Sequence, residues 1–262
     1  MTAGLRHSLR LAALMALCLL ALQLYFVGRI ALMVVIDPQS TTFQRSEAWR
    51  LLHETGRIAW AQQWADYEQI APSLKRAVIA SEDAGFVDHS GVEWDAIEKA
   101  WDKNLRAEQR SEKQNLQLEQ RQQRGARNGG AVKPLPRVQA KLVGGSTITQ
   151  QLAKNLFLSG ERSALRKAQE FVLTFALEAL LPKRRILEIY LNSVEWGEGL
   201  FGAQAAARYY FRSDAAQLGA YPAARLAVML PAPKRFEKRP TSAYVSGRAA
   251  TVVARMSDVE LP

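Results

Sequence analysis

The chain has 262 residues, of which 48% are apolar, and its formal net charge is +10. This length allows one sizeable hydrophobic core, and the positive charge indicates an anionic partner: nucleic acid, an acidic membrane surface or a phosphorylated ligand. The single cysteine, Cys18, excludes an intramolecular disulfide framework and a Cys-based zinc site. The three histidines are scattered, so no metal site is predicted.

An apolar stretch near the N-terminus is long enough to span a bilayer. It runs from Leu11 to Gly28, interrupted only by Gln23, and resumes after Arg29 as far as Ile36. Most of the flanking positive residues precede it: Arg6, His7 and Arg10. We therefore predict a cytoplasmic tail over residues 1–10 and a retained anchor over 11–36, with an exported body. A cleaved signal peptide is the alternative, but no small-x-small cleavage site closes the stretch.

The rest of the chain has a helical pattern, and the fold class predicted is all-α. Residues 37–71 are predicted to be a connector, or jaw, with one amphipathic helix. Its large apolar side chains are expected to pack on the body rather than to lie at the membrane interface: Trp49, Leu52, Ile58, Trp60 and Trp64. The body is expected to extend over 72–236, with its last helix ending at Pro231 and a partly ordered, basic tail over 237–262.

Residues 102–141 differ in composition from their surroundings. They contain ten Lys or Arg, four Asp or Glu and seven Gln, with few large apolar residues. Such a segment cannot bury much surface, so it is predicted to be a solvated helix extension that leads into a flexible loop. Because it supplies +6 of the total charge of +10, the basic composition indicates little about an active site.

An acidic pair, Glu82 and Asp83, is predicted at the end of a helix, in a loop marked by Gly85 and Gly91. Glu82 lies between apolar helical residues and Phe86, so desolvation is expected to raise its pKa and make it usable as a general base. Asp83 is expected to cap the helix or to support Glu82. His89 is expected to form structural hydrogen bonds rather than to bind a ligand.

Two later helices are predicted to present cations. If a helix begins at Ser146, then Gln150 and Lys154 share its face, and the free N–H groups of the first turn with the lysine form an anion site. The alternative is a simple cap followed by a solvated face. On the next helix Arg162, Arg166 and Glu170 share a face, opposite an apolar stripe: Leu165, Ala168, Val172, Phe175 and Ala179. An exposed Arg–Glu pair is the alternative there.

Four short patterns follow one another along the chain. The first comprises Glu82, Asp83, Phe86, His89 and Gly91. The second comprises Gly145, Ser146, Thr147, Thr149, Gln150, Gln151, Leu152, Lys154 and Asn155. The third comprises Arg166, Lys167 and Glu170, and the fourth Lys183, Ile186, Leu187, Glu188, Tyr190, Leu191 and Asn192. From about residue 41 to residue 236 the chain closely resembles the family 51 glycosyltransferases, and specifically the monofunctional biosynthetic peptidoglycan transglycosylases.

This resemblance implies a lysozyme-like fold of two lobes around a cleft, in a glycosyltransferase domain over 72–236 that is anchored to the inner membrane and faces the periplasm. The substrate implied is lipid II, with Glu82 as the base and Glu170 as the second catalytic carboxylate. Lys154 and Arg162 match the positions that hold the pyrophosphate, and Ser146 and Gln150 those on the donor side. Further substrate-binding positions are Asn155, Arg166 and Lys167, and supporting positions are Asp83, Phe86, His89, Thr147 and Gln151.

The resemblance also predicts partners and cofactors. The partners are lipid II, the growing glycan chain and the membrane, and not nucleic acid; contacts with cell-division or penicillin-binding proteins stay open. No cofactor is obligatory, with stimulation by Mg or Mn left open, and moenomycin is expected to bind the donor cleft. The alternatives are a glycan-cleaving lytic transglycosylase or muramidase, and a non-catalytic scaffold or nucleic-acid binder driven by the basic insertion.

Overall fold

The computed structural model describes residues 3–127, 137–139, 145–158, 160–161 and 163–262. These residues form mainly helices: α1 Ala3–Leu32, α2 Thr42–Thr55, α3 Pro72–Glu82, α4 Trp94–Arg127, α5 Ile148–Phe157, α6 Ala164–Leu180, α7 Lys183–Ser193, α8 Ala203–Phe211, α9 Ala220–Met229, α10 Pro233–Phe236 and α11 Ala243–Val253. Three short strands accompany them: β1 Ala61–Gln62, β2 Glu195–Gly197 and β3 Leu200–Phe201. The helical fold is therefore confirmed.

The chain divides into two compact units. The first combines Met1–Val92 with Thr147–Pro262, and the second is Glu93–Ser146. The core of the first unit contains the apolar faces of α3, α5, α7 and α9. On α5 the predicted inward residues Ile148, Leu152 and Leu156 are all buried, as the helical spacing requires.

Helix α1 contains a segment, His7–Leu32, that is long and apolar enough to cross a membrane. Its last residues belong to the core of the first unit, since Ile30 and the following Met33 are buried. Arg185 on α7 donates to the Met33 carbonyl at 2.8 Å and to the Asp37 carboxylate at 2.7 Å. The end of the candidate anchor is thus fixed to the body by packing and by charge-assisted hydrogen bonds.

The large apolar residues of the connector are mostly not packed, contrary to the prediction. Trp49 is 65% exposed on α2, and Leu52 and Ile58 are also exposed. Trp60 stacks on Phe201 of β3 with 4.5 Å between ring centroids, and Trp64 is partly buried against the core. The connector therefore exposes apolar surface, whereas these side chains were predicted to pack on the body.

The three strands form one small sheet, in which β1 comes from the segment between α2 and α3, and β2 and β3 follow α7. No strand was predicted from the sequence. β3 lies between β1, to which it is parallel, and β2, to which it is antiparallel. Strands of two or three residues are too short to show alternation. Gly199 has a φ of 68° and approaches the Ala59 carbonyl so closely that a Cβ would lie 2.0 Å from its oxygen.

The C-terminal segment is ordered and packed, so the expectation of a partly ordered tail is wrong. α11 contacts α9 and α3 and buries Val245, Ala249 and Val252, which recur at helical spacing. Ser242 caps its N-terminus by accepting from the Val245 N–H. The segment contains a short apolar stripe among its basic residues, and this stripe packs on the body.

Helix α6 carries its apolar stripe on the exposed side, which the sequence analysis did not anticipate. Leu165 is 84% exposed, and Val172 and Phe175 are about half exposed. The buried face instead comprises Glu170, Leu173, Thr174 and Leu177. In water a helix would be expected to cover an apolar stripe of this size and to leave residues such as Glu170 and Thr174 exposed.

The second unit consists of α4 and short described segments. α4 is 34 residues long and ends at Arg127, which confirms the predicted helix extension. The Asn115 amide exchanges two hydrogen bonds with the backbone of Val138, at 3.0 and 2.8 Å. The predicted flexible loop falls largely on residues 128–136 and 140–144, which lie outside the described residues.

Candidate active site

Asp83 connects the end of α3 to the start of α5. One of its carboxylate oxygens accepts from the Ile148 N–H at 2.9 Å, and the other is 2.8 Å from Nε2 of His89. Nδ1 of His89 accepts from the Gly91 N–H at 3.1 Å, so the proton of a neutral imidazole lies on Nε2. The Asp83 carboxylate thus caps the start of α5 and not the end of α3, where a cap was expected, and the hydrogen bonds of His89 match the structural role expected of it.

Helix α5 begins at Ile148 with Thr147 as its N-cap, so the prediction that Ser146 shares a helical face with Lys154 is wrong. The Thr147 hydroxyl accepts from the Gln150 N–H at 3.1 Å and donates to the Gly91 carbonyl at 2.6 Å. The Gln150 side chain completes the capping box by accepting from the Thr147 N–H. Gln150 is only 1% exposed, and Ser146 falls in the second unit.

Glu82 is the last residue of α3, and its carboxylate has one polar neighbour from α5. The Gln151 amide donates to Glu82 Oε2 at 3.0 Å. Burial raises the pKa of Glu82, the hydrogen bond from Gln151 opposes that rise, and the nearby charge of Asp83 adds to it. A carboxylate with a raised pKa accepts a proton more readily, which suits a general base.

The orientation of Gln151 is set by Tyr190 on α7. The buried Tyr190 hydroxyl donates to Oε1 of Gln151 at 3.0 Å, which leaves the amide N–H₂ directed at Glu82. The pKa of Tyr190 is well above its ordinary value because of burial and the negative charges of Glu82 and Asp83. Tyr190 is therefore a neutral donor, with a role that the sequence analysis did not assign although it lies in the fourth motif.

Glu170 forms a second acidic site, on α6. Its side chain accepts from Arg166 at 2.9 Å and from Lys167. Because Glu170 is 3% exposed, the alternative of a solvated Arg–Glu pair is wrong. The Nε of Arg166 is buried and has no hydrogen-bond partner among the described residues. Arg162, predicted for the same face, lies outside the described residues.

Glu178, which the sequence analysis did not assign, links three of the motifs. Its carboxylate accepts from the Thr149 hydroxyl at 2.5 Å and pairs with Lys183 at 2.9 Å. The Lys183 ammonium lies 4.5 Å from the ring centroid of buried Phe86. Glu178 follows Glu170 by two helical turns, and this spacing was the only sequence signal that could have identified it.

The remaining predicted positions lie on α5. Lys154 is exposed, and Asn155 is buried next to it in the chain. The structure thus gathers Glu82, Asp83, His89, Thr147 and Gln151 into one hydrogen-bonded assembly. Glu170, Arg166 and Lys167 form a separate cluster.

A mainly helical body is what the resemblance to a lysozyme-like glycosyltransferase implies, and Glu82 and Glu170 are the two carboxylates that it names. Comparison with protein-family models identifies the family, because residues 50–113 and 130–257 match the transglycosylase model. The chain belongs to the transglycosylase family. The match passes over residues 114–129, within the predicted insertion, and includes α11.

The chain is similar over nearly its whole length to curated relatives. It is 48% identical over 244 residues to a biosynthetic peptidoglycan transglycosylase of Burkholderia thailandensis, covering 93% of this chain and 83% of the relative. It is 45% identical over 258 residues to the protein of that name from Paraburkholderia phytofirmans, covering 98% and 94%. A third, from Burkholderia pseudomallei, is 49% identical over 244 residues, covering 93% and 83%.

Deleting residues 108–137 should leave polymerising activity intact and weaken binding to anionic vesicles. None of the residues described within this segment belongs to the core, and both partners of the Arg137–Glu119 ion pair are removed together. Each Lys or Arg near an acidic surface contributes up to about 1 kcal/mol. Vesicle binding of the wild type and the deletion would be compared at low and high salt, with residues 11–22 removed from both so that the buried residues Ile30 and Met33 are kept. Unfolding of the deletion, or undiminished binding at low salt, would contradict the interpretation.

Proposed function

We propose that the chain is a peptidoglycan glycosyltransferase that polymerises lipid II into glycan strands and releases polyprenyl pyrophosphate. The observation that carries this proposal is the Glu82 carboxylate, which burial desolvates and Gln151 orients from α5. The family membership and the names of the relatives support the same reaction class.

In the proposed reaction Glu82 removes the proton from the 4-hydroxyl of the acceptor sugar. The hydroxyl oxygen then attacks the anomeric carbon at the end of the growing chain, with inversion. The bond between that carbon and the pyrophosphate oxygen breaks, and its electron pair leaves with the lipid pyrophosphate. The proton stays on Glu82 and is lost to solvent before the next cycle, so one base serves each turnover.

The second cluster is proposed to serve the sugar and phosphate groups. Arg166 and Lys167 hold the Glu170 carboxylate in place and keep two positive charges beside it for the sugar and phosphate groups. Lys154, together with Arg162, is proposed to stabilise the departing pyrophosphate, whose charge grows in the transition state. The geometry of Gln150 favours a structural role in the cap over contact with the donor.

We further propose that α1 anchors the chain in the inner membrane with a cytoplasmic N-terminus and a periplasmic body. Support comes from the apolar span His7–Leu32 and from the basic residues Arg6, His7 and Arg10 at its start. Neither a bound cofactor nor a metal enters the proposed reaction.

Product analysis separates the proposed function from glycan cleavage. Purified full-length protein would be supplied with labelled lipid II in one reaction and with preformed uncross-linked glycan in another. Polymer formed from lipid II, with release of polyprenyl pyrophosphate, supports the proposal. Shortening of preformed glycan without any polymer from lipid II would instead identify a cleaving enzyme.

Replacing Lys154 with Ala should lower turnover about tenfold to a hundredfold, because the leaving pyrophosphate loses a charge-assisted partner. The binding of moenomycin, a phosphoglycolipid expected in the same cleft, should weaken in parallel. Lys113→Ala, which removes an exposed charge from α4, is the matched control. Unchanged turnover and moenomycin binding in Lys154→Ala would remove this residue from the phosphate site.

A further inference from the structure

Two amide side chains connect the candidate membrane span to α6. Gln23 is the residue that interrupts the apolar stretch of α1, and its amide lies against that of Gln169. Each amide donates to the other's oxygen at 3.0 Å, so the pair makes two reciprocal hydrogen bonds. A polar group within a membrane span lacks water partners, and such residues are retained where they find one in the protein.

The position of Gln23 along α1 places this pair inside the hydrocarbon region. Arg29 follows Arg10 by 19 positions. At 1.5 Å per helical residue this separation is about 28 Å, which matches a hydrocarbon thickness of about 30 Å. Gln23 precedes Arg29 by six positions, so it lies about 9 Å inside the boundary that Arg29 marks.

Helix α6 therefore reaches below the membrane surface at Gln169. This depth explains its exposed apolar stripe, because lipid chains rather than water would cover Leu165, Val172 and Phe175. Other contacts fix α1 on the same unit: Phe26 packs edge-to-face on Phe157 at 5.3 Å, and the Arg29 guanidinium lies 5.5 Å from the centre of the Phe157 ring. The anchor is a docked helix and not a loose tether.

We propose that Gln23 and Gln169 are positioning residues, whose reciprocal hydrogen bonds set the depth of α6 in the bilayer. Gln169 immediately precedes Glu170, so fixing the depth of one fixes the depth of the Glu170–Arg166–Lys167 cluster in the bilayer. The pyrophosphate of a membrane-bound donor lies at the headgroup level, so the depth of the cluster governs whether it and the donor meet. The catalytic consequence rests on the proposed function, whereas the depth of α6 does not.

A depth measurement tests the pair without using activity. In a Cys18→Ser background, Val172→Cys carries a fluorophore on the exposed stripe of the full-length protein, reconstituted in vesicles whose lipids are brominated on the acyl chains. We expect strong quenching with both glutamines present and a clear loss of quenching in Gln23→Leu or Gln169→Leu. The loss of quenching in the double variant should be no greater than that in the more strongly affected single variant, because removing both amides leaves neither one unpaired. Leu24→Ala, on the exposed side of α1, is the matched control and should not change quenching.

Activity is then compared with two donors. Each single variant should polymerise vesicle-borne lipid II about threefold to tenfold more slowly than wild type, the range expected of one interhelical hydrogen-bonded pair. A short-chain, water-soluble lipid II analogue in detergent should be used at the wild-type rate, since no bilayer then sets a depth. A variant that had only lost stability would be slower with both donors.

The outcomes separate the two proposals. The positioning role would be overturned if the fluorophore were unquenched in the protein that retains both Gln23 and Gln169. It would also be overturned if the losses of quenching in the two single variants added up in the double variant. Equal losses with both donors would also overturn it. If the wild type polymerised neither donor, the proposed function would fail, and the quenching measurements would still decide whether the pair sets the depth.

Discussion

Replacing Glu82 with Gln is expected to reduce lipid II polymerisation by a factor of about 10² to 10⁴, the usual contribution of a positioned general base. The amide keeps the size of the side chain and can still bond to Gln151, but it cannot accept the proton of the acceptor hydroxyl. The rate of polymer formation by purified protein would be measured alongside thermal unfolding. A near wild-type rate in this variant would show that another group acts as the base.

The same substitution should not destabilise the protein at neutral pH, which keeps the activity result interpretable. The folded-state pKa of Glu82 is raised above 4.5 by burial. The Glu82 carboxyl therefore binds its proton more tightly in the folded than in the unfolded protein. As pH rises from the pKa of the unfolded state to that of the folded state, ionisation of this carboxyl lowers the free energy of unfolding. A neutral Gln avoids that loss, and Tm at pH 7 should be equal to or above that of the wild type.

Replacing Gly91 with Ala should lower the free energy of unfolding by about 2–5 kcal/mol, from left-handed backbone strain and overpacking together. Gly91 has a φ of 85°, and an added Cβ would lie 2.7 Å from both Glu178 Cγ and Thr174 Cγ2. Gly91 also bonds His89 and Thr147, so its displacement disturbs the loop beside Glu82.

Gly85→Ala is the matched control for this second prediction. It lies in the same loop without a positive φ, and its added Cβ would make only ordinary contacts of 3.9 Å. Chemical denaturation of both variants would compare the two positions. Equal stabilities for Gly91→Ala and Gly85→Ala would contradict the packing described for Gly91.

The helices and the acidic loop could be predicted from sequence because their signals are local. The spacing of Ile148, Leu152 and Leu156 identified the buried face of α5, and the apolar neighbours of Glu82 indicated its desolvation. The partners of Glu82 could not be derived in this way. Gln151 and Tyr190 meet it from two later helices, and pairings between distant segments leave no periodic signal in a single sequence.

The errors at α6 and α11 have different physical causes. On α6 the sequence shows an apolar stripe opposite the cationic face, and in a helix in water such a stripe faces the core; a helix at membrane depth can expose that stripe and bury polar residues such as Glu170 and Thr174. On α11 the packing depends on small residues such as Ala249, whose burial is governed by close approach of helices rather than by strong hydrophobicity. Both cases depend on surroundings that lie far away in the sequence or outside the protein.

The pH dependence of polymerisation tests most directly whether Glu82 is the base. Only the ionised carboxylate can accept a proton, so kcat/KM for lipid II, which reports the pKa of the free enzyme, should fall as pH drops through the pKa of Glu82, which burial raises above 4.5. We expect a wild-type acid limb with its midpoint clearly above 4.5, and no such limb in the residual activity of Glu82→Gln. A wild-type midpoint at or below 4.5, or the same limb in both proteins, would contradict the assignment of Glu82 as the catalytic base.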